Sequence, residues 1–414
     1  MRTKNRIAIT GLGIVAPNGI GVDAFWESVL DGKSGIGPIS LFDPVDYPVQ
    51  IAGEVSNFDV RDYVDGSINA KRMGRHTQLA LAATRLAMRE AGLEIEDLQT
   101  GNAPALVMGV SSSAFDVIEQ GKDRMASAGV RHVSPYVVSA SQPNAISNVI
   151  AQHLAISSYT ETISSACTAG LMAISKGADL IRSGREQVVL AGGTDAPVTP
   201  FAVASFAASG MIPTRNDDPA TASRPFDLYR SGGVMSEGAC IVVLESLSHA
   251  LARGARPIAL IRSHGVYQDE PGSEPASGLS ESMASAVANA GLYPEDIDYI
   301  CAHGPSDPIM DRVEMEAVKK VFGAHAYSTA LSSIKGVTGN PLSAAGPMSL
   351  SACALAFRDG YLPPTANFTE RDPECDLDCV PNQPRAASLR FALVNIHGMG
   401  GGNCTVALEK VPAA

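Results

Sequence analysis

Long apolar runs are missing from this 414-residue sequence. No stretch reaches the ~20 consecutive apolar residues that a membrane-spanning helix needs, so we expect no membrane span. The first residues, MRTKNRIAITGLGIV, contain only a short apolar run broken by glycine. That pattern is more typical of a first β-strand than of a signal peptide. We therefore expect a cytoplasmic protein.

A surplus of basic residues is also missing. The formal net charge is −12, from 31 Lys and Arg against 43 Asp and Glu. A surface of this charge does not favour nucleic acid, so we expect no nucleic-acid partner. The hydrophobic content of 45% is enough for a large core, in two or three domains or in one large fused α/β unit.

Paired cysteine motifs are absent as well. The seven cysteines are scattered, and none forms a Cys-X-X-Cys pair. Cys375 and Cys379 have no matching second pair and no nearby histidine, so we expect no metal site. An odd, scattered count is typical of free thiols in a reducing compartment, where most of them fill the core.

Strand-like and helix-like segments alternate along the chain. Continuously apolar runs such as ALVMGV, ACIVVLE and FALVNI indicate strands that are buried on both faces. Segments such as HTQLALAATRLAMREAGL and AGLMAISKGADLIRSG have helical apolar spacing and end at glycine. This alternation predicts an α/β layered fold. The polar, turn-rich stretch IPTRNDDPATASRPFDLYRSGG is interpreted as an ordered surface loop or active-site loop.

One cysteine has an unusual context. Cys167 lies in TISSACTAG, among small residues and just before a predicted helix. The positive end of that helix would lower the pKa of the thiol and stabilise an oxyanion beside it, which indicates a nucleophile. A buried structural cysteine is the alternative, and the local pattern by itself is more typical of that alternative.

Three further segments contain candidate groups. His303 follows an apolar strand in CAHGPSD, where α/β folds gather ligands, although a capping or surface histidine fits equally well. Lys335, in SSIKGVTGN, is either solvated or buried and paired with Glu314 or Glu316. The glycine-rich NIHGMGGGN precedes a strand rather than a helix. It therefore suits a backbone amide that stabilises a reacting oxygen better than it suits a nucleotide phosphate.

Together these motifs resemble the elongating β-ketoacyl-acyl-carrier-protein synthases over essentially the whole chain. The likeness runs from ITGLGIVAPNG through SSACTAG, RPFDLYRSGG, AHGPSDP and SSIKGVTGN to GMGGGN. Within that family, TRNDDPATASRPFD and PPTANFTERDPECDLDCVP look most like the ketosynthase subunits of bacterial type II polyketide synthases.

The resemblance implies an α/β thiolase fold, with two similar halves in a five-layer αβαβα arrangement. We expect residues 1–250 to form the half with the nucleophile, and residues 251–414 the half with the other site residues. The resemblance also implies a homodimer, or a heterodimer with a ketosynthase-like partner subunit. An acyl carrier protein would deliver the substrate on its phosphopantetheine arm, and no cofactor of the chain's own is implied.

The resemblance further implies a ping-pong condensation. Cys167 would take an acyl group as a thioester, and a malonyl-carrier unit would lose CO2 so that its carbanion attacks that acyl group. The backbone N–H groups of Cys167 and Met399 would form an oxyanion hole. His303 and Lys335 match family residues, and Glu314 matches the buried glutamate that we expect to pair with this lysine.

Departures from the family pattern concentrate around one expected pocket. Asn340 stands where the family has a second histidine, and an amide can donate a hydrogen bond to an enolate but cannot transfer a proton. Two contacts to the pantetheine arm and three phenylalanines are also replaced, by Pro305, Asp307, Gly233, His397 and Met399. We expect His397 to face the pocket. There it either supplies the titratable donor that Asn340 cannot provide, or it only fills the volume of a phenylalanine and hydrogen-bonds a neighbour.

Three functions remain open at this point. The first is an active condensing enzyme with a Cys–His–Asn set, and we rank it first. The second is an acyltransferase that loads Cys167 and passes the acyl group on without decarboxylation, which the altered pantetheine contacts favour. The third is a non-catalytic partner subunit resembling chain-length factors. Retention of Cys167, His303 and Lys335 argues against the third.

Overall fold

The structure is a computed structural model that describes residues 6–64, 68–95 and 103–412. Its strands follow in chain order: β1 (Ile7–Ala16), β2 (Gly19–Ile20), β3 (Ile36–Pro38), β4 (Ile51–Gly53), β5 (Ala105–Val110), β6 (Thr160–Ser164), β7 (Val188–Asp195), β8 (Gly238–Ser246), β9 (Ala259–Gln268), β10 (Tyr299–Cys301), β11 (Ala330–Ser332), β12 (Tyr361–Leu362), β13 (Arg385–Ala386), β14 (Phe391–Gly398) and β15 (Gly402–Lys410).

The α-helices of the described residues lie between these strands. They are α1 (Val22–Leu30), α2 (Arg75–Ala91), α3 (Phe115–Ala128), α4 (Val137–Ser141), α5 (Ala145–His153), α6 (Ala169–Arg182), α7 (Pro200–Ala208), α8 (Pro219–Ala222), α9 (Leu247–Ala252), α10 (Leu279–Ala290), α11 (Pro308–Phe322), α12 (Lys335–Thr338) and α13 (Ala345–Asp359).

The main sheet contains the same five-strand arrangement twice. Its strand order is β11-β10-β14-β15-β9-β1-β8-β7-β5-β6, with β2 beside β1. In one set, β5 is parallel to β6 and β7, and β8 joins β7 to β1 by antiparallel pairing. In the other set, β10 is parallel to β11 and β14, and β15 joins β14 to β9 in the same way. The predicted division after residue 250 lies between β8 and β9, which belong to different sets.

Two buried helices lie between the two strand sets. Helix α6 packs on β5 and β7, helix α13 packs on β14 and β15, and the two helices touch each other. In α13, every residue from Ala345 to Phe357 is buried. Helix α2 covers β1 and β8 from outside, and α10 covers β9 and β15. The small and apolar sequence AGPMSLSACALAF suits a helix that is enclosed on all sides, because it has no face for solvent.

The candidate site residues lie where parallel strands end. Cys167 follows β6, His303 follows β10, and Lys335 follows β11. His397 is the penultimate residue of β14, which runs parallel to β10. The carboxyl ends of parallel strands are where α/β sheets gather reactive side chains, so the topology brings residues that are far apart in sequence to one place.

Candidate active site

Cys167 lies at the predicted helix start, on a sharp turn. A 3₁₀ turn, Ala166–Thr168, connects β6 to the first residue of α6. Ala166 has a φ of +51°, a backbone conformation that few residues other than glycine adopt. At Gly170, a Cβ atom would lie only 2.1 Å from the carbonyl oxygen of Ser343. The start of α6 can therefore approach Ser343 this closely only because residue 170 has no side chain.

The expected low pKa of this thiol is wrong. Burial raises the pKa of Cys167 to about 11, and the buried carboxylate of Asp195 raises it further. Lys335 and hydrogen bonds from the backbone N–H groups of Met399 and Cys167 itself act in the opposite direction. The helix end therefore does not outweigh desolvation, and the thiol is protonated at neutral pH. The two amides that we expected to form an oxyanion hole both point at the sulfur.

His303 has its hydrogen-bonding direction set by Lys335. The Lys335 ammonium donates to the His303 carbonyl oxygen, and its Nζ lies 3.4 Å from His303 Nδ1. An ammonium can only donate, so Nδ1 accepts and Nε2 holds the ring proton. Burial holds the pKa of His303 well below its usual range, and Lys335 and His397 lower it further. His303 is therefore a neutral donor towards the cavity.

The expected direct pair between Lys335 and Glu314 is wrong, although both side chains are buried. The Glu314 carboxylate accepts from the backbone N–H of His303 at 2.9 Å and of Gly304 at 2.8 Å, and from Asn395 Nδ2 at 3.1 Å. Lys335 instead bonds the His303 carbonyl. The Glu314 carboxylate thus bonds the N–H groups of this peptide segment, and the Lys335 ammonium bonds its carbonyl group. Buried backbone groups need such hydrogen-bond partners. The other proposed partner, Glu316, pairs with Arg312.

We expect Glu314→Ala to destabilise the fold by about 3–5 kcal/mol, because it removes one member of a buried charge arrangement. Three buried N–H donors would lose their acceptor at once. Urea unfolding measures the effect. Glu316→Ala, on the same helix and 57% exposed, is the matched control and should cost at most ~0.5 kcal/mol. Equal losses for the two variants would contradict this account of Glu314.

A narrow cavity of about 70 Å³ opens beside Cys167. Of the residues expected at the site, the cavity lining includes Cys167, His303, Asn340, Gly233, Pro305, Asp307, His397 and Met399. Lys335 and Glu314 are not part of this lining, since they lie behind His303. The Asn340 amide oxygen is buried and has no hydrogen-bond partner within the described residues. An unpaired polar atom of this kind beside a thiol is a position where a substrate group can bind.

Two of the departures from the family pattern act on one loop. At Gly233, a Cβ atom would lie 2.9 Å from the Pro305 carbonyl oxygen. The loop after His303 therefore occupies space that a larger residue at position 233 would need. Asp307 caps helix α11, since its carboxylate accepts from Ile309 N and Met310 N, each at 2.9 Å. Asp307 thus has a structural role besides lining the cavity.

Several site residues were not predicted from the sequence. The apolar cavity wall is completed by Phe206, Met211, Ile212, Met235, Met310 and Leu342. The polar residues that hold the site in place include Asp195, which accepts from the backbone N–H of Ser111, Ser112 and Ser343. The only available signal was position: Asp195 ends a buried strand, and Ile212 begins the loop that we interpreted as an active-site loop.

Within residues 6–64, 68–95 and 103–412, no group of three or more His, Cys, Asp or Glu side chains is placed to hold a metal ion. In the same part of the chain, no helix has the length and apolarity required to cross a bilayer.

Comparison with known families decides the identity. Residues 4–250 match the model of the β-ketoacyl synthase N-terminal domain, and residues 258–369 match that of its C-terminal domain. The chain belongs to the β-ketoacyl synthase family. A 3-oxoacyl-[acyl-carrier-protein] synthase 2 of Coxiella burnetii is 38% identical over 99% of both chains. One from Synechocystis is 36% identical over 98% of both chains. The family predicted from the motifs is thereby confirmed.

Solved structures agree on the fold. The ishigamide ketosynthase/chain length factor superposes with a TM-score of 0.91 and 33% identity, over 98% of this chain and 99% of that one. A type II polyketide synthase ketosynthase in complex with its acyl-carrier protein superposes with a TM-score of 0.89 and 29% identity, over 98% and 99%. These matches confirm the predicted α/β thiolase-type fold of the β-ketoacyl synthase family.

Proposed function

We propose that this β-ketoacyl synthase is an active condensing enzyme that uses a Cys–His–Asn set. The observation that supports this most directly is one cavity lined by Cys167, His303 and Asn340. In the same cavity, two backbone amides point at the sulfur of the nucleophile. A non-catalytic subunit would have no need for a thiol with this surrounding.

The first half-reaction loads Cys167. The sulfur attacks the carbonyl carbon of an acyl-carrier thioester, and the developing oxyanion accepts hydrogen bonds from the backbone N–H groups of Cys167 and Met399. These amides belong to the turn just before α6 and to the residue that follows β14, so both are attached to elements of the buried helix layer and the central sheet. The donors are therefore in place before the charge develops, which is what makes such a site effective.

The second half-reaction uses His303 and Asn340. A malonyl thioester that loses CO2 becomes an enolate, and its oxygen gains negative charge. His303 Nε2–H is held in donor form by Lys335, and the Asn340 amide can donate without changing protonation state. Two neutral donors are sufficient to stabilise the enolate, because decarboxylation needs no proton transfer to the carboxylate. The enolate carbon then attacks the acyl-Cys167 thioester.

We expect the phosphopantetheine to arrive as part of the substrate, on an acyl carrier protein. The relatives are named 3-oxoacyl-[acyl-carrier-protein] synthases, and one structural neighbour is a ketosynthase in complex with its acyl-carrier protein. The opening beside Cys167 is narrow and mostly apolar, which suits a single extended thioester arm. We place the enzyme in the cytoplasm, because all seven cysteines are free thiols.

We also propose a dimer, homomeric or formed with a ketosynthase-like partner. Strand β6 forms one end of the main sheet and offers an unpaired edge. The segment between β5 and β6 also exposes apolar side chains, at Ile118, Met125, Val130, Tyr136 and Val138. An open sheet edge and exposed apolar side chains are both features that favour an interface between subunits.

One observation favours a second function, transfer of the acyl group without decarboxylation. Asn340 replaces the family's second histidine, and its buried amide oxygen has no partner among the described residues. An unpaired carbonyl oxygen would repel the enolate if it, rather than the amide NH2, pointed at the substrate. In that orientation the site would load an acyl group and then release it to another nucleophile.

Purified protein incubated with acyl- and malonyl-carrier proteins separates these functions. A condensing enzyme should gain the acyl mass on the Cys167 peptide and then release one CO2 for each β-ketoacyl product. Acyl loading without CO2 release would support the transferase instead. Absence of any acyl mass on Cys167 would contradict both.

A further inference from the structure

The cavity contains two imidazoles whose hydrogen bonds run in opposite directions. The ring centroids of His303 and His397 are 6.1 Å apart, with the rings nearly perpendicular. His303 accepts at Nδ1 from Lys335 and therefore presents Nε2–H to the cavity. The hydrogen bonds of His397 determine whether its Nε2 faces the cavity as a second donor or as an acceptor.

Behind His397 lies an Asn–Asp relay. His397 Nδ1 is 3.0 Å from the Asn403 side-chain oxygen, and Asn403 Nδ2 donates to Asp269 Oδ1 at 2.6 Å. Asn403 Nδ2 also faces the carbonyl oxygens of Gly401 and Tyr267. Three acceptors around this nitrogen fix the orientation of the amide, so its oxygen must face the imidazole. His397 Nδ1 therefore donates, and in the neutral ring Nε2 is an unprotonated acceptor.

This acceptor is free for chemistry. His397 lines the same cavity as Cys167, and its Nε2 makes no hydrogen bond to the residues that the structure describes. Neutral His397 therefore presents an acceptor rather than a donor to the pocket, and its expected role as a titratable donor stays a prediction. It can donate there only after it has taken up a proton.

The charged groups beside the two rings also differ: a carboxylate lies near His397, and an ammonium lies near His303. Asp269 Oδ2 lies 3.9 Å from His397 Nδ1, so a positive charge on His397 is stabilised. Beside His303 lies the Lys335 ammonium, which disfavours a second positive charge. The remaining charged group in the cavity lining, Asp307, is engaged in capping α11. Of the two histidines, His397 is the one built to accept a proton.

We propose that His397 is the general base that deprotonates Cys167 for acyl loading, with Asn403 and Asp269 as positioning residues. This inference rests on the proposed function. The Cys167 S–H proton moves to His397 Nε2, and the thiolate attacks the acyl-carrier thioester. A new C–S bond forms, the bond to the carrier sulfur breaks, and the departing carrier thiolate takes the proton back from His397. Such a base is needed because a buried thiol has very little thiolate at neutral pH.

The test measures how fast iodoacetamide alkylates Cys167 as a function of pH, read by mass spectrometry of the Cys167 peptide. This probe needs no carrier protein. We expect His397→Phe, which restores the family residue, to lower the rate at neutral pH by about 10²-fold. The rate of that variant should recover only at strongly alkaline pH. His132→Phe, at an exposed histidine that does not line this cavity, is the control and should alkylate within a few-fold of the unchanged protein.

Asp269→Asn provides a second, independent readout. A neutral amide no longer places a carboxylate behind the imidazole, so the alkylation rate at neutral pH should fall and its pH profile should change. A merely structural role for Asp269 would change the melting temperature without changing that profile. An unchanged rate and profile in both His397→Phe and Asp269→Asn would overturn the proposal.

The same variants are then tested for acyl loading from an acyl-carrier protein. If the unchanged protein loads the acyl group and His397→Phe loads it more slowly, both the proposed function and the assignment of His397 as the base are supported. Normal loading in a folded His397→Phe variant removes the base and leaves the function. If the unchanged protein does not load at all, yet its alkylation depends on His397, the proposed function fails while the assignment of the base stands.

Discussion

Cys167→Ala should abolish covalent acyl loading completely, because it removes the only thiol among the described residues that line the cavity. No other lining side chain is a comparable nucleophile. The imidazoles of His303 and His397 are engaged at Nδ1, and an acyl-imidazole would not survive isolation. Intact-protein mass spectrometry after incubation with an acyl-carrier protein measures the effect. The second half-reaction should also stop, since the enolate has no acyl thioester to attack.

Cys301→Ala is the matched control for this experiment. Cys301 is fully buried in β10, two residues before His303, and does not reach the cavity. Its replacement removes a similar volume and the same chemical group, so any loss of folding is shared. We expect it to load normally. Loading that persists in Cys167→Ala, or that disappears in a folded Cys301→Ala variant, would contradict the assignment of Cys167 as the nucleophile.

The sequence was sufficient to predict most of the central sheet, but not all of it. Strands such as β7, β8 and β14 are continuously apolar and buried along their whole length, so pattern alone identifies them. Strand β6 has the polar sequence TETIS and is partly exposed at the sheet edge. It was not predicted, because an edge strand does not need an apolar pattern. Helices α3, α5 and α7 were missed as well.

For the candidate site, the sequence predicted which residues meet but not how they are bonded. Motif order brought Cys167, His303, Asn340 and His397 to one pocket. It could not show that desolvation outweighs the helix end at Cys167, since burial depends on the whole fold. Nor could it show that Glu314 bonds backbone N–H groups rather than Lys335.

The His397 relay shows a further limit of sequence reasoning. Asp269 lies just beyond the end of β9, more than a hundred residues before His397, in a stretch with no recognisable motif. Antiparallel pairing of β9 with β15 brings it beside Asn403. Only the assembled sheet therefore shows that a carboxylate backs this imidazole.

Lys335→Met should lower the rate of CO2 release by about 10²-fold, the usual cost of losing one transition-state hydrogen-bond donor. Methionine fills a similar volume but donates nothing to His303 Nδ1 or to its carbonyl. The neutral imidazole can then hold its proton on Nδ1, which leaves Nε2 unable to donate to the enolate oxygen. Acyl loading on Cys167 should fall by less than CO2 release, because His303 is not its base and Lys335 is only one of the groups that lower the pKa of Cys167.

Single-turnover assays with malonyl-carrier protein measure CO2 release, and intact-protein mass measures loading in the same samples. Lys320→Met, at an exposed lysine of α11 that pairs with Glu281, is the control and should change neither rate. Lys335→Met removes the other member of the buried charge arrangement with Glu314, so it should also cost about 3–5 kcal/mol of stability, and assays are run well below the melting temperature. CO2 release that stays normal in folded Lys335→Met would mean that Lys335 does not set the donor form of His303. If acyl loading and CO2 release fall by the same factor, Lys335 would instead have a structural role that maintains the whole pocket.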